Sequence, residues 1–251
     1  MPDLRRLFVY VKLLILFAVL AQRAYAQDTL PEKEYIYNEK EKRWYEPFII
    51  PAGLIGIGSF VSVNDNIISK YEVRDLRNKH FGNFHTEADD FLQFIPFAIA
   101  GIIELTENNK YKVIENRVIN LVKTEAIMGF FTYSLKQLTA VKRPDSGAQN
   151  SFPSGHTAQA FAAAGFLYRT YCNDHSKWIG AGGFAIATSV GVLRVLNDRH
   201  WISDVIAGAG IGLLSAELGC MDWAKEKNNE SSFIIPVYSK EVKGLAFIKR
   251  F

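Results

Sequence analysis

The chain has 251 residues, 49% hydrophobic and 22% charged, which suits one domain of ordinary size or a small membrane bundle and excludes a disordered or fibrous chain. Two cysteines, Cys172 and Cys220, cannot make a disulfide framework or a four-ligand zinc site, and they read either as free thiols or as one bridge. The formal charge of +3 comes from the first segment, since setting aside Arg5, Arg6, Lys12, Arg23 and Asp3 leaves basic and acidic residues equal in number; no basic field remains, and no nucleic-acid partner is expected.

Residues 1–26 read as an export signal. Arg5 and Arg6 form a basic start, Leu7 to Leu20 is apolar apart from Lys12, and Ala24-Tyr25-Ala26 gives a small-x-small cleavage pattern, so the mature chain is expected to begin near Gln27. The apolar run falls short of the ~18 residues of a membrane span, which sets cleavage ahead of an uncleaved first helix. Residues 27–47, rich in Glu, Lys and Tyr, form a polar lead-in. Apolar stretches then recur at Phe48–Val63, Phe91–Leu105, Val118–Leu135, Thr157–Tyr171, Trp178–Val195 and Ile202–Leu218. They predict an all-α fold, a bundle of about six helices within a domain spanning 48–222. The segment Asn64–Asp90 is polar and mixed in charge, as a loop would be. Glycines 53, 56 and 58, 180, 182 and 183, and 208, 210 and 212 follow no strand, so they read as close helix packing and not as a dinucleotide loop. Residues 223–251 alternate in part, which suggests one β-hairpin turning at Lys243-Gly244.

Whether these helices cross a membrane is weakly marked. Each apolar run is nearer about 15–18 residues than the ~20 of a span. Lys123 and Glu125 lie inside the third, and the mean hydropathy of the whole chain is +0.01.

Three segments place hydrogen-bonding or titratable groups beside apolar helices. In Lys136–Pro144, a helix running up to the proline would put Lys136 and Arg143 on one face, two turns apart. In Ser151–Thr157, Pro153 and Gly155 punctuate a turn before an alanine-rich helix, whose first N–H groups and dipole make an anion seat with His156 at its rim. A capping or packed histidine is the competing reading of His156. In Arg194–Asp204, His200 and Asp204 are four apart, so the carboxylate can take one ring nitrogen and leave the other as nucleophile or base; alone, that pair would also fit an ordinary ion pair. Asp198, Arg199 and Trp201 fit packing and surface roles better than substrate contacts. Together the segments describe a phosphate-processing site with three cations, an N–H nest and two histidines. The carboxylate cluster of a two-metal phosphatase is missing from these segments, so no metal and no cofactor is expected.

Lys136-x6-Arg143-Pro144, Pro153-Ser154-Gly155-His156 and Arg194-x5-His200-x3-Asp204 resemble, in order and spacing, the signature of the type 2 phosphatidic acid phosphatase superfamily, which includes class A acid phosphatases and vanadium haloperoxidases. The resemblance implies a helical bundle, with the likeness covering roughly Phe48 to Leu218. It implies His200 as the nucleophile forming a phosphohistidine, Asp204 as its orienting partner and His156 as general acid. Lys136, Arg143 and Arg194, with Ser154 and the Gly155 N–H, would hold the phosphate. Leu193 departs from the family, which often has a small hydroxyl residue there. The family allows a six-span enzyme acting on lipid phosphates and a soluble exported phosphatase. The expected protein is a periplasm-facing, membrane-associated phosphatase removing a phosphate from an envelope lipid: lipid A, an undecaprenyl pyrophosphate carrier or a phosphatidic acid-like lipid. A soluble nonspecific acid phosphatase, a vanadium haloperoxidase and a non-catalytic phosphate-binding protein are the alternatives. One conflict stands out: three crossings after an exported start would put Lys136 on the cytoplasmic side, away from the other two motifs if those face out.

Overall fold

The computed structural model describes residues 45–64, 69–107, 111–172 and 177–221, apart from the side chain of Lys112, together with the backbone of 232–238 and 243–249. The proposed signal and nearly all of the lead-in lie outside the described residues. Among the described residues there are eight helices: α1 (Glu46–Val63), α2 (Lys70–Phe81), α3 (Ala88–Leu92), α4 (Ile95–Thr106), α5 (Tyr111–Thr139), α6 (Gly155–Tyr171), α7 (Lys177–Leu196) and α8 (Ile202–Cys220). The chain divides into two compact units, Met1–Cys220 and Met221–Phe251. In the second, β1 (Ser232–Tyr238) pairs antiparallel with β2 (Lys243–Lys249), from Ser232 opposite Lys249 to Tyr238 opposite Lys243. Lys243-Gly244 is therefore paired strand and not the turn, opposite Tyr238 and Val237.

Helix α8 is the hub of the first unit. It packs on α1, α5 and α6, and 83% of its most apolar window is enclosed. Backbones approach this closely because small residues line the seams. A Cβ on Gly212 would lie 2.3 Å from the Ala158 carbonyl oxygen and 2.7 Å from Ala162 N, and one on Gly58 would lie 2.5 Å from Ala207 N. The expected packing role of the glycines holds at Gly58, Gly180, Gly183, Gly208, Gly210 and Gly212, but not at Gly53, Gly56 and Gly182, where a Cβ would meet nothing within 4 Å.

These contacts fix helix direction. Gly58 meets Ser203 and Ala207 while Gly210 meets Leu54 and Ile55, so α1 runs antiparallel to α8. Gly208 meets Ser154 and Gly212 meets Ala158, so α6 runs parallel to it. Gly219 meets Thr124 while Gly155, at the start of α6, faces Thr132 and Lys136, and Gly180 meets Cys172 while Gly191 meets Thr157 and Val205, so α5 and α7 run against α6 and α8. The end of α5, the start of α6, the end of α7 and the start of α8 therefore share one end of the bundle. All three motifs meet there, and Tyr45 lies at the other end.

The sequence stretch Phe91–Leu105 divides into α3 and α4 at Gln93–Phe94. Helix α2 falls in the segment read as a loop. It shows no apolar stripe because arginines anchor it: the buried Arg77 donates to the carbonyls of Leu196, Gly82 and Phe84, and Arg74 to Asp198 and the Pro144 carbonyl. Its readable sign is the Ser69 hydroxyl accepting from Glu72 N, as an N-cap does.

Helices α1, α7 and α8 are each long and apolar enough to cross a membrane. Large apolar side chains, among them Ile57, Phe60, Ile102, Val122 and Phe130, are exposed on the bundle perimeter. At the end away from the motifs, Arg117 pairs with Glu104 at 2.7 Å and Glu107 at 3.1 Å, and Tyr171 donates to Glu104 at 2.8 Å. An apolar perimeter between two polar ends supports association with a membrane.

Seam packing gives a direct test. Gly212→Ala should cost about 1–3 kcal/mol through overpacking and lower the thermal unfolding midpoint in detergent, whereas Gly182→Ala, at an exposed position with open space, should leave it unchanged.

Candidate active site

The third motif begins as α7 ends. Arg194 is buried in the last turn of α7, His200 is 2% exposed in the short connection, and Asp204 is fully buried in the first turn of α8. The four-residue spacing acts across a helix start, since His200 precedes α8. Asp204 Oδ2 accepts from Ser151 Oγ at 2.5 Å and from Trp201 N at 3.0 Å, and lies 3.4 Å from His200 Nδ1. This leaves Nε2 as the His200 nitrogen available to a substrate. Burial, reinforced by Lys136 and Arg143, outweighs the pull of Asp204 and lowers the His200 pKa to about 4. The ring is therefore neutral near pH 7, as a nucleophile must be.

Ser151 is the residue that the sequence reading passed over. It is fully buried, and its hydroxyl serves Asp204 while lying 3.4 Å from His200 Nδ1. Its position just before the Pro-Ser-Gly-His run was the only hint.

Helix α6 begins at Gly155, so His156 lies within its first turn and not in a turn ahead of it. The Ser154 hydroxyl is fully buried, caps the helix by accepting from Thr157 N and pairs with Thr157 Oγ1 at 2.9 Å. In the structure the Ser154 oxygen is thus engaged in the helix cap. What this helix start offers an anion is the N–H of Gly155 and of His156, neither of which has an intrahelical acceptor. His156 sits at the rim with its side chain 31% exposed, and its Nε2 is 2.7 Å from Asp90 Oδ1.

In the first motif, α5 stops at Thr139 and Ala140 takes a positive φ of 45°. Arg143 therefore does not extend the helical face of Lys136, as the spacing suggested. It arrives on the loop that follows, its own N–H bonded to the Ala148 carbonyl and its Nε to Asn150 Oδ1 at 2.7 Å. Lys136 Nζ, from the last turn of α5, donates to the Asn150 carbonyl at 2.6 Å. Burial first, then the neighbouring Arg143 and Arg194, lower the Lys136 pKa to about 8.

Two carboxylates outside the motifs complete the site. Asp89, 1% exposed, accepts from Arg194 Nη1 at 2.5 Å and from Asn197 Nδ2 at 2.9 Å. Asp89, Asp90 and His156 could offer ligand atoms to a metal, all within 4.8 Å of one another. The donor set fits a divalent cation poorly, because the Arg194 guanidinium already answers Asp89. The sequence reading saw neither aspartate, because both precede the first motif by more than forty residues. Arg194 Nε is buried and without a partner, as expected of a group awaiting an anion.

The other third-motif residues have structural partners. Asp198 pairs with Arg74 at 2.9 Å, Arg199 with Asp145 at 3.0 Å, and Trp201 Nε1 donates to the Lys142 carbonyl at 2.8 Å. Leu193 brings no side-chain donor. Cys172 and Cys220 are both free.

Residues 117–227 match the family described as the PAP2 superfamily. Over 159 residues the chain is 36% identical to the lipid A 1-phosphatase of Porphyromonas gingivalis, covering 63% of this chain and 34% of that one. It is 29% identical over 131 residues to the lipid A 4'-phosphatase of Helicobacter pylori, covering 49% and 63%. The chain thus spans about a third of the first relative and under two thirds of the second. The crystal structure of Aquifex aeolicus LpxE superposes on 58% of this chain and 92% of its own, with a TM-score of 0.44 and 22% identity.

The Lys136 ammonium is a titratable cation at the end of the bundle where the motifs meet. Its charge is present below about pH 8 and lost above it, so kcat/KM should fall as pH rises through that value, mainly through KM. In Lys136→Arg this limb should move to higher pH, which pH–rate profiles of both proteins would show.

Proposed function

We propose, from the match of residues 117–227 to the PAP2 superfamily, that the chain is a metal-independent phosphatase of an envelope lipid, with lipid A phosphates as the foremost substrate class. The observation that carries this reading is the meeting of three cations, a buried neutral histidine with a carboxylate partner and a second, rim histidine at one end of an apolar-sided bundle. The names of the relatives support the substrate class, and the exposed apolar perimeter favours a membrane enzyme over a soluble acid phosphatase.

In the proposed reaction Lys136, Arg143 and Arg194 hold the phosphoryl oxygens. His200 Nε2 attacks phosphorus, the bond to the lipid oxygen breaks, and His156 gives that oxygen a proton. Water then attacks the phosphohistidine, giving its proton to His156 and releasing inorganic phosphate and free His200. Catalysis rests on fixed charge and alignment.

The test is phosphate release from lipid A, undecaprenyl pyrophosphate and phosphatidic acid by the purified protein, with and without chelator. Turnover of a lipid that resists chelation and falls to background in His200→Ala is expected. Full activity in His200→Ala would refute the mechanism, and chelator-sensitive turnover would refute metal independence.

The proposed site faces the periplasm. Because α1 begins at the opposite end, this orientation puts Tyr45 on the cytoplasmic side, whereas export and cleavage ahead of Gln27 would put it outside. With Cys172 and Cys220 replaced by alanine, an impermeant thiol reagent applied to spheroplasts should label Ser146→Cys and spare Tyr45→Cys. The reverse pattern would overturn the orientation.

A further inference from the structure

Resting on the reading of His156 as general acid, we propose that Asp90 is its positioning residue, so that the enzyme uses two histidine–aspartate pairs: His200 with Asp204 for attack, and His156 with Asp90 for the leaving group. No part of the three motifs includes α3, and the family match begins after it, at residue 117.

The geometry is direct. His156 Nε2 lies 2.7 Å from Asp90 Oδ1, so a carboxylate, which can only accept, assigns a proton to Nε2. Nδ1 is then the nitrogen that hands a proton to the departing lipid oxygen and later takes one from water. Asp90 is held in place through its neighbour, because the buried Asp89 is fastened to both Arg194 and Asn197. The Asn197 side chain also clasps the backbone of Thr86 through Nδ2 and Oδ1, and this ties the start of α3 to the end of α7.

A general acid in this place needs such help. The charged groups acting on His156 are Arg194 from α7 and Asp89 and Asp90 from α3. Burial and Arg194 lower its pKa, and the Asp90 hydrogen bond and charge oppose them. Without Asp90, burial and the Arg194 charge would drive the proton off the residue that must donate it.

The experiment compares Asp90→Asn, Asp90→Glu and His156→Ala with the wild type on two substrates. One is an alkyl lipid phosphate, whose leaving alkoxide needs a proton; the other is a nitrophenyl phosphate bearing an alkyl tail, whose leaving group does not. Asp90→Asn should lower kcat on the alkyl ester by about 10- to 100-fold and on the aryl ester far less. Its alkaline limb in kcat should move to lower pH, and Asp90→Glu should restore part of the loss. Equal losses on both esters with an unmoved limb would overturn the proposal. So would a gain in activity, which would mark Asp90 as an occupant of the phosphate's place. If His156→Ala itself shows no dependence on the leaving group, the general-acid reading fails first, and that result is distinct from an Asp90 variant behaving like wild type beside a strongly leaving-group-dependent His156→Ala.

Discussion

Lys136, Arg143 and Arg194 repel one another at one end of the bundle, and the site depends on how that repulsion is held in check without cancelling it. Asp89 is buried against Arg194 and Asp204 is buried under His200, each placed to offset the cations from behind. The remaining demand is met by carbonyls, as where Lys136 donates to Asn150. Removing one partner of a buried pair such as Asp89–Arg194 strands the other charge, at a cost of about 3–5 kcal/mol. Burial first, and this repulsion after it, lower the pKa of both His200 and Lys136.

The parts that the sequence made legible are those where chemistry and periodicity are local. Long apolar runs marked α1 and α5 to α8, and fixed spacing marked His200 with Asp204. Distant partners were hidden. Asp89 and Asp90 sit in a polar stretch whose meaning comes only from the packing of α3 against α6 and α7, and no local pattern reports that. Helix α2 was hidden for a related reason: its buried face carries Arg77, whose guanidinium satisfies backbone carbonyls, where a periodicity search looks for leucine. Arg143 was placed on a helix because Pro144 is the obvious stop, whereas the chain turns earlier, at Ala140, to deliver the arginine from a loop. Ser154 shows a residue type pointing to two roles at once, since a hydroxyl before a helix can cap it or bind an anion, and the bond that the structure shows is the cap.

The membrane question turns on direction more than on hydropathy. Hydropathy averaged along the chain dilutes the signal, because α8 spends its apolar surface on α1, α5 and α6 while α5 mixes charges with an exposed apolar face. Glycine contacts settle the sense of each helix independently of any lipid, and they place all three motifs at one end, which is the condition that counting apolar stretches could not reconcile with an exported start.

Asp204 joins two segments as well as orienting a ring. Its carboxylate gathers Ser151, Trp201 and His200, while its own carbonyl accepts the N–H of Ser154, the cap of the helix that carries His156. The helix start that carries His156 and the loop that carries His200 are thereby closed by the same residue. A fluctuation that frees either loop breaks bonds belonging to the other, so the site passes between assembled and disassembled as one cooperative element.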